Sequence, residues 1–414
     1  MSPKSDWRLA EWLAWQEQLH PRSIELGLER VRGVAHRLGL PDARAKTLTV
    51  AGTNGKGSSA TLAALIYGFA GYRVGLYTSP HLLRYNERVT LDGAAATDED
   101  LCQAFRAIDQ ARDGVSLTYF EFGTLAALWL FREARVNIQV LEVGLGGRLD
   151  AVNIVDTDCA LITNIGLDHT DWLGPDRESI GREKAGILRA GRPAICVEES
   201  APRSVLDTAA ELAVSPQLLG RDFRFQAHDN RWDWQGAQTE IHKLPLPALR
   251  GAAQLRNAAG VLAAIESLQA SLPVEEPAIS QALSALTLPG RFERRGACIF
   301  DVGHNVEAAQ VLVENLGAEK TSRILLVLGM LRDKPIESFC RVLAPLAERT
   351  FLAGLPSPRG LSADELAAHA YRSGMNCTTF ATPLEALAAA RAEANAGDTI
   401  VVTGSFMTVA AAYG

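Results

Sequence analysis

The chain has few cysteines and no long apolar run. Its six cysteines lie far apart in the 414 residues and include no C-x-x-C pair, a usage that favours a reduced, cytoplasmic protein. No segment approaches the roughly 20 apolar residues of a membrane span. Asp6, Arg8, Glu11 and Glu17 interrupt the first 20 residues, which is typical of an amphipathic helix and not of a signal peptide. A membrane is therefore not an expected partner.

Positive charge is also scarce. The 41 lysines and arginines are outnumbered by 48 acidic residues, for a net charge of -7. Contact with a nucleic-acid backbone needs a clustered positive surface, so nucleic acid is not an expected partner, although amides, lysines and metal ions can still bind an anion locally. The content of 47% hydrophobic and 21% charged residues is typical of a globular protein. At about 150 residues per domain, the length gives two or three domains, and two is the simplest interpretation.

Short β-branched runs alternate with helical patterns from residue 47 onward. TLTVAG, a helix and RVGLYT form a βαβ unit, and the runs at 137–144 and 158–163 extend it, which predicts a mostly parallel sheet covered on both faces. Between Phe223 and Leu244 aromatic residues stand two apart around a turn at Asp229 and Asn230. This pattern predicts a small accessory antiparallel sheet.

A second α/β unit follows a punctuation signal at 288–290. Helical patterns over Ala252–Leu268 and Ala278–Leu286 lead to Leu-Pro-Gly, which marks a boundary. Afterwards ACIFDV, RILLVLG, RTFLAG, CTTF and TIVVTG recur with helices between them, as in a Rossmann-like fold. We therefore expect a first domain over 1–289 and a smaller α/β domain over 290–414.

A phosphate-binding loop is the sharpest local feature. The segment from Asn54 through Gly55, Lys56, Gly57 and Ser58 lies between a predicted strand and a predicted helix. Small residues let backbone N–H groups face phosphates, the helix N-terminus favours negative charge, and the lysine supplies a point charge. The segment departs from G-x-x-x-x-G-K-[ST], because a valine replaces the first glycine and Gly57 separates the lysine from the serine. An ordinary glycine turn is the alternative.

Three polar residues follow other strand candidates. Glu142 ends a buried run, and Ser79 and His169 lie in the segments TSPHL and NIGLDHT, each of which follows another strand candidate. The carboxyl ends of parallel strands meet at one sheet edge, and Mg²⁺ prefers oxygen ligands beside nucleotide phosphates. Glu142 is therefore a candidate magnesium ligand, or else a strand cap paired with Arg148. By themselves, Ser79 and His169 fit a turn residue and a structural histidine about equally well.

These motifs together resemble one family. The segments LGLER, GTNGKGS, TSPHL, LTYFEFGTL, LEVGLGGRLDAVNIV, LDHTDWLGPDRESIGREKAGI, PGRFE and GSF span almost the whole chain. They are similar to the bifunctional dihydrofolate synthase/folylpolyglutamate synthases of the Mur ligase superfamily. The resemblance implies a Mur-ligase-like P-loop ATPase domain, with a Rossmann-like α/β domain that carries glutamate-ligase function.

The resemblance also implies site residues. Asn54 to Ser58, with Asn257, Arg291 and Asp301, would bind ATP, and Ser79, Glu142 and His169 would bind Mg²⁺. Lys56, Glu142, His169 and Lys184 would be catalytic, with Lys184 carbamylated to N6-carboxylysine; the alternative is an unmodified lysine on a helix surface. The implied pterin-substrate residues are Ser23, Ile24, Glu25, Leu26, Thr118, Tyr119, Phe120, Glu121, Leu149, Asp150 and Ala151. One departure is Gly303 before His304, where the family usually has alanine.

The implied reaction is ATP-dependent ligation of L-glutamate to dihydropteroate and to folates through an acyl phosphate. The implied partners are dihydropteroate, reduced folates, L-glutamate and ATP, and the implied state is a monomer. A monofunctional folylpolyglutamate synthase remains an alternative. A Mur-type amino-acid ligase is disfavoured because only 51 residues precede Gly52, too few for a separate nucleotide-sugar domain. A non-ligating P-loop module is a further alternative, although the guanine-reading Asn-Lys-x-Asp motif is absent.

Overall fold

The computed structural model describes residues 4–22, 24–40, 44–317, 319 and 321–413. The chain forms two compact units that are interleaved in sequence. The first unit comprises the chain up to Ile165, Leu173–Ala248 and Gln254–Leu286, and the second comprises Gly166–Trp172, Leu249–Ala253 and the chain from Thr287 onward. The expected domain limits, 1–289 and 290–414, stay a prediction.

The first unit contains an eight-stranded sheet in the described part of the chain. Its strands are β1 (Lys46–Ala51), β2 (Val74–Tyr77), β3 (Val89–Leu91), β4 (Ala94–Ala95), β5 (Ile138–Glu142), β6 (Cys159–Ile162), β7 (Ala194–Cys196) and β8 (Gln217–Leu218). Their order is β4-β3-β2-β5-β1-β6-β7-β8, and the pairs from β2 to β8 are all parallel. The predicted, mostly parallel sheet is confirmed. The antiparallel strands β3 and β4 at its edge were not predicted.

Helices connect and flank these strands. Their bounds are α1 (Leu9–Leu19), α2 (Glu29–Arg37), α3 (Lys56–Phe69), α4 (Asp98–Arg112), α5 (Tyr119–Ala134), α6 (Thr170–Leu173), α7 (Arg177–Ala185), α8 (Arg203–Glu211), α9 (Ala252–Leu268) and α10 (Glu276–Ala285). Helix α5 begins after a capping box, in which the Thr118 hydroxyl accepts from the Glu121 N–H and the Glu121 carboxylate accepts from the Thr118 N–H. This box fixes the position at which the FEFGTL segment becomes helical.

The predicted accessory sheet has three antiparallel strands, β9 (Arg224–Ala227), β10 (Arg231–Gln235) and β11 (Glu240–Pro245). The turn between β9 and β10 lies at the expected position, closed by the bond from the His228 N–H to the Arg231 carbonyl. Trp232 and Trp234 are buried, and each indole donates to a backbone carbonyl. These two anchors explain the alternating aromatic pattern.

The second unit contains a six-stranded sheet in the described residues. Its strands are β12 (Glu293–Arg295), β13 (Cys298–Phe300), β14 (Ile324–Leu328), β15 (Arg349–Ala353), β16 (Cys377–Phe380) and β17 (Thr399–Thr403), and its helices are α11 (Val306–Gly317), α12 (Ile336–Leu343), α13 (Ala363–Arg372), α14 (Pro383–Glu393) and α15 (Phe406–Ala412). The order is β12-β13-β17-β14-β15-β16, and only the β12–β13 pair is antiparallel. The predicted second α/β unit is confirmed.

The cysteines and the helices agree with the composition. All six cysteines are free thiols, and five of them are buried. Over the described ranges, the helices are too short or too polar to cross a bilayer.

Candidate functional site

The predicted phosphate loop connects β1 to α3. Gly55 lies immediately before the helix in a left-handed conformation with φ of 79°, which glycine adopts without a side-chain clash. Residues at the end of β6 hold the loop: the Asn54 N–H donates to Asn164 Oδ1 at 2.6 Å, and Thr163 Oγ1 donates to the Asn54 carbonyl at 2.6 Å. The loop is therefore fixed by two neighbouring strands.

Two lysines converge on one backbone carbonyl of this loop. Lys56 Nζ lies 3.0 Å from the Gly52 oxygen and 3.1 Å from the Thr53 oxygen, and Lys184 Nζ, from α7, lies 2.9 Å from the same Gly52 oxygen. The Lys184 residue is only 3% exposed, so the alternative of a surface lysine is wrong. Two ammonium groups at one acceptor repel each other, and this site would favour neutralising one of them.

A buried carboxylate faces the first turn of α3. Glu142 ends β5, is 4% exposed and accepts a 2.8 Å hydrogen bond from the Ser79 N–H. A Cβ atom added at Gly57 would lie 3.5 Å from Glu142 Oε2, so glycine leaves space between the carboxylate and the loop. Ser58, the next residue of the helix, is also buried.

The donor set is chemically suited to magnesium. The Ser79 hydroxyl and the Glu142 carboxylate are hard oxygen donors, which Mg²⁺ prefers, and this ion is usually held by one or two carboxylates together with substrate phosphates and water. Among the described residues, no group of three or more histidine, cysteine, aspartate or glutamate side chains could hold a metal by itself. A magnesium ion here would therefore depend on the nucleotide for part of its coordination.

His169 is placed differently from the other two predicted magnesium ligands. Ser79 and Glu142 belong to the first unit, whereas His169 belongs to the segment Gly166–Trp172 of the second unit. Its φ of 53° is left-handed, which is uncommon outside glycine and worth attention at a functional position. The structure thus brings two of the three predicted ligands together within one unit.

Asp168, the residue before His169, is the centre of a polar cluster in the second unit. Its carboxylate accepts from Lys334 Nζ at 2.8 Å and from Asn305 Nδ2 at 3.3 Å, and His304 Nε2 lies 3.5 Å away. Burial alone would favour the neutral acid, but the hydrogen bond with His304 and the charge of Lys334 hold the pKa of Asp168 well below its usual range. No motif pointed to Lys334, which is separated from Asp168 by 166 residues.

The predicted substrate residues Glu25 and Glu121 share a cation. Arg30 donates to both Glu121 oxygens, at 3.1 and 3.2 Å, and also forms a short ion pair with Glu25. Glu25 in turn lies 3.0 Å from His20 Nε2, and these two hydrogen bonds, to His20 and Arg30, lower its pKa. Thr118 joins the cluster through its capping bond to Glu121.

The other N-terminal substrate candidates stand beside Glu25 in the sequence. Ser23 lies outside the described residues, and Ile24 and Leu26 are half-buried. The Gly27 N–H donates to the Leu149 carbonyl at 3.3 Å. The structure therefore brings the 24–27 segment next to one of the predicted substrate residues of the 149–151 segment.

Asp150 and Ala151 lie at the start of a short 3-10 turn and are buried. Asp150 accepts from the Leu145 N–H at 2.8 Å and from the Val152 N–H at 3.1 Å. Burial raises the pKa of Asp150 to about 7, and the backbone hydrogen bonds and the charge of Lys56 oppose that rise. A carboxyl with a pKa near neutral is a frequent feature of functional sites.

Aromatic residues at the start of α5 lie beside an arginine that sequence reasoning missed. The Phe120 ring covers Gly144, where an added Cβ would approach it to 2.6 Å. The Arg88 guanidinium lies 5.5 Å from the centre of the Tyr119 ring and donates through Nε to His81 Nδ1 at 2.9 Å. Burial and the nearby Arg88 charge lower the pKa of His81 to about 4.

The predicted nucleoside residue Asn257 lies on α9 next to the phosphate loop. A Cβ atom added at Gly55 would come within 2.6 Å of Asn257 Nδ2. The same amide nitrogen makes a long, 3.5 Å hydrogen bond to Gln254 Oε1. Asn257 is therefore placed at the loop by packing.

The other two predicted nucleoside residues belong to the second unit. The Arg291 guanidinium lies 5.2 Å from the centre of the Phe406 ring. Asp301 follows β13 and accepts from the Phe292 N–H at 3.0 Å and from the Gly303 N–H at 2.8 Å. Burial raises the pKa of Asp301, partly opposed by the Arg291 charge.

Known proteins resemble this chain over its full length. The model of the Mur ligase, glutamate ligase domain matches residues 290–406. A dihydrofolate synthase/folylpolyglutamate synthase of Escherichia coli is 45% identical over 413 residues, covering 99% of this chain and 96% of that protein. The chain belongs to the dihydrofolate synthase/folylpolyglutamate synthase family.

Solved structures of the family agree with the fold. Escherichia coli FolC in complex with DHPP and ADP has a TM-score of 0.94 at 44% identity, covering 99% of this chain and 97% of that one. The bifunctional folylpolyglutamate synthase/dihydrofolate synthase of Yersinia pestis complexed with AMPPNP and Mn ion has a TM-score of 0.92 at 45% identity, covering 99% and 98%. The fold class predicted from the sequence is thus confirmed.

The family motifs locate most of the candidate residues but not their partners. Arg30 stands in the LGLER segment of the dihydrofolate synthase/folylpolyglutamate synthase pattern. Its positive charge close to the acidic candidate Glu25 was the sequence feature that could have identified it as a partner. Arg88 follows the TSPHL segment by six residues and carried no signal, because its contact with Tyr119 at the start of α5 depends on the fold. Lys334 likewise needed the fold to bring it to Asp168.

Proposed function

We propose that this chain joins L-glutamate to dihydropteroate, forming dihydrofolate, and to folates, forming folylpolyglutamates, at the expense of ATP. The observation that carries the proposal is the phosphate loop, where Lys56 and Lys184 converge on the Gly52 carbonyl and Glu142 faces Gly57. Full-length membership of the family supplies the reaction class. Structures of relatives with DHPP and ADP, or with AMPPNP and Mn ion, support ATP as a reactant and a divalent cation as the cofactor.

The chemistry is phosphoryl transfer followed by amide formation. A carboxylate oxygen of the pteroyl substrate attacks the γ-phosphorus of ATP, giving an acyl phosphate and ADP. The amino group of glutamate then attacks the acyl carbon, phosphate leaves, and the ammonium proton passes to solvent. Protein side chains and amides mainly position the reactants and neutralise charge in such transfers. Lys56 and the amides of Gly55, Gly57 and Ser58 would therefore hold the phosphates, next to Asn54, whose own N–H is bonded to Asn164.

The metal ligands in this proposal are Ser79, Glu142 and His169. Magnesium, when bound by them, supplies positive charge at the phosphate oxygens. Glu142 suits this role because it is a buried oxygen donor held by the Ser79 N–H. The carboxylate would otherwise repel the nucleotide, so ATP and the cation should bind together.

Carbamylation of Lys184 belongs to the same proposal. The ammonium would lose one proton, the neutral amine would add to the carbon of CO₂, and a second proton would leave to solvent, giving an anionic carbamate. This change would remove the repulsion with Lys56 at the Gly52 carbonyl. The carbamate nitrogen keeps one hydrogen, so it can still donate to that carbonyl. Labelling with ¹³C-bicarbonate should give a carbamate signal that is absent in Lys184→Arg; equal spectra of the two proteins would contradict carbamylation.

The remaining candidates are assigned by substrate. We assign the nucleoside of ATP to Asn257, Arg291 and Asp301. The pterin substrate is assigned to residues 23–26, 118–121 and 149–151, which include the Glu25 and Glu121 carboxylates and Asp150. Domains 1–289 and 290–414 would carry the ATP and pterin sites and the glutamate-ligase function, respectively. We further propose a cytoplasmic monomer with small-molecule partners and without nucleic-acid or membrane partners.

The test is glutamate-dependent ADP release by Lys56→Ala and Glu142→Ala, measured with dihydropteroate and with tetrahydrofolate. Loss of a charge that stabilises the transition state should lower kcat by about a hundredfold or more. Lys46→Ala is the matched control, because Lys46 lies at the other end of β1 in a surface ion pair with Asp158. Unchanged turnover in folded Lys56→Ala and Glu142→Ala would contradict the proposal. Activity with tetrahydrofolate alone would reduce it to a monofunctional synthase, and ATP binding without ligation would leave only a nucleotide-binding module.

A further inference from the structure

Within the described part of the chain, Arg88 has no carboxylate at ion-pair distance. It ends the 3-10 turn Tyr85–Arg88 and is half-buried. Its side chain donates an Nε hydrogen bond to His81 Nδ1, lies over the Tyr85 and Tyr119 rings, whose centres are 5.4 and 5.5 Å away, and also interacts with the buried Tyr77. Other half-buried arginines of this unit have acidic partners, as Arg30 does. A buried charge is usually paired with an opposite charge, so the Arg88 guanidinium is suited to bind an anion from outside the described residues.

The contacts of Arg88 fix its direction. An arginine Nε–H can only donate, so His81 Nδ1 must accept and the imidazole adds no positive charge here. The Tyr85 and Tyr119 rings hold the guanidinium plane by cation–π contact. A guanidinium that is already positioned loses little entropy when it binds an anion through its fork of donors.

Arg88 also lies between two parts of the proposed site. Its backbone carbonyl accepts from the Thr78 N–H at 2.9 Å, and Thr78 precedes Ser79, whose N–H is bound to Glu142. On the other side, its guanidinium faces Tyr119, a proposed substrate residue. Arg88 therefore contacts both the strand end that leads to Ser79 and the proposed substrate residue Tyr119.

We propose that Arg88 binds a carboxylate of the pteroyl substrate. The assignment rests on the proposed function. An arginine fork matches the geometry of a carboxylate, and its charge would offset the repulsion that a carboxylate meets on approaching the phosphates of ATP. Dihydropteroate has only the carboxylate that reacts, whereas a folate monoglutamate has the reacting γ-carboxylate and an α-carboxylate. Either one presents the same chemistry to Arg88.

The experiment compares Arg88→Gln and Arg88→Lys with the wild-type chain on both substrates. KM for the pteroyl substrate should rise about tenfold to a hundredfold in Arg88→Gln, as expected for a charge-assisted hydrogen bond, and less in Arg88→Lys. KM for ATP should stay within about twofold of the wild type, because the Arg88 guanidinium contacts His81, Tyr85 and Tyr119, none of which is assigned to ATP. The matched control is Arg84→Gln. Arg84 lies just before the 3-10 turn and forms an ion pair with Asp98, and the two side chains are 71% and 58% exposed, respectively.

A pterin analogue with hydrogen in place of the carboxyl group separates binding from structure. It should bind the wild type and Arg88→Gln equally, because it lacks the group that Arg88 recognises. A larger KM with both substrates assigns Arg88 to the reacting carboxylate, and a larger KM with the folate alone assigns it to the α-carboxylate. Unchanged KM with both substrates, or equally weakened binding of the analogue, would overturn the proposal. A wild-type chain without glutamate-dependent ADP release would contradict the proposed function instead.

Discussion

Replacing Gly55 by alanine tests how the phosphate loop is built. Gly55 has φ of 79°, and an added Cβ would lie 2.6 to 2.9 Å from three atoms of the Asn257 amide. The substitution therefore makes two separate demands: a left-handed conformation for a residue with a side chain, and displacement of Asn257. Gly71, just after α3, has φ of 87° and no atom within 4 Å of its added Cβ. Gly71→Ala is thus a control for the first demand alone.

The two demands have different magnitudes and readouts. A left-handed alanine costs roughly 1–2 kcal/mol, so both variants should lose about that much free energy of unfolding. Only Gly55→Ala should also weaken ATP binding, because the proposed nucleoside residue is pushed from its place. A tenfold higher KM for ATP, equivalent to about 1.4 kcal/mol, is expected.

Urea unfolding and the ATP dependence of glutamate-dependent ADP release measure the two effects. A double-mutant cycle with Asn257→Ala completes the test. Once the Asn257 amide is removed, adding Gly55→Ala should raise the KM for ATP no further. If Gly55→Ala raises the KM for ATP no more than Gly71→Ala does, the close approach of Asn257 to the loop has no functional meaning. An undiminished effect in the Asn257→Ala background would refute the reasoning equally.

Three further predictions concern stability. Burial raises the pKa of Asp150 from 3.8 to about 7, so its contribution to the free energy of unfolding is present at low pH and lost as pH rises. The urea midpoint of the wild type minus the urea midpoint of Asp150→Asn should therefore decrease as the pH is raised from 4 to 7. Glu121→Ala should lower the free energy of unfolding by about 3 kcal/mol, because it leaves a partly buried arginine with one partner fewer, whereas the exposed Glu99→Ala should cost about 0.5 kcal/mol or less in the same urea titration. Lys334→Met should lower the free energy of unfolding by about 3 kcal/mol near pH 7, since Asp168 keeps its buried charge. Calorimetry should show a smaller difference from the wild type below pH 4, where Asp168 takes up a proton in the variant.

Local patterns carried most of the fold. The phosphate loop, the strand candidates and the α9 helix were predictable because each depends on a short apolar period or on turn residues. The helix after the loop begins at Lys56 and so includes the last three residues of the predicted loop segment, because the loop glycine caps it. The short edge strands β3 and β4 escaped prediction, since strands of three and two residues have no period to read.

The candidate site was less predictable because its contacts are long-range. Lys184 carried a motif, but its burial against the Gly52 carbonyl depends on how α7 packs. Arg88 reaches Tyr119 only because β3 pairs with β2. A spacing along the chain gives no measure of such distances, so sequence reasoning could name the residues of the site without their partners.

The ion pair between Asp168 and Lys334 sets a condition for dissecting the protein into fragments. Both side chains are nearly inaccessible, at 4% for Lys334 and 8% for Asp168, yet a fragment starting at residue 287 would contain only the lysine. Such a fragment would lose the 2.8 Å partner of its buried ammonium and keep the longer, 3.9 Å contact with the more exposed Asp333, so it would fold with a poorly compensated interior charge or expose that charge by local opening. Expression of the second unit as an independent piece should therefore succeed better with Lys334 replaced by an apolar residue, or with the 166–172 segment grafted back onto it.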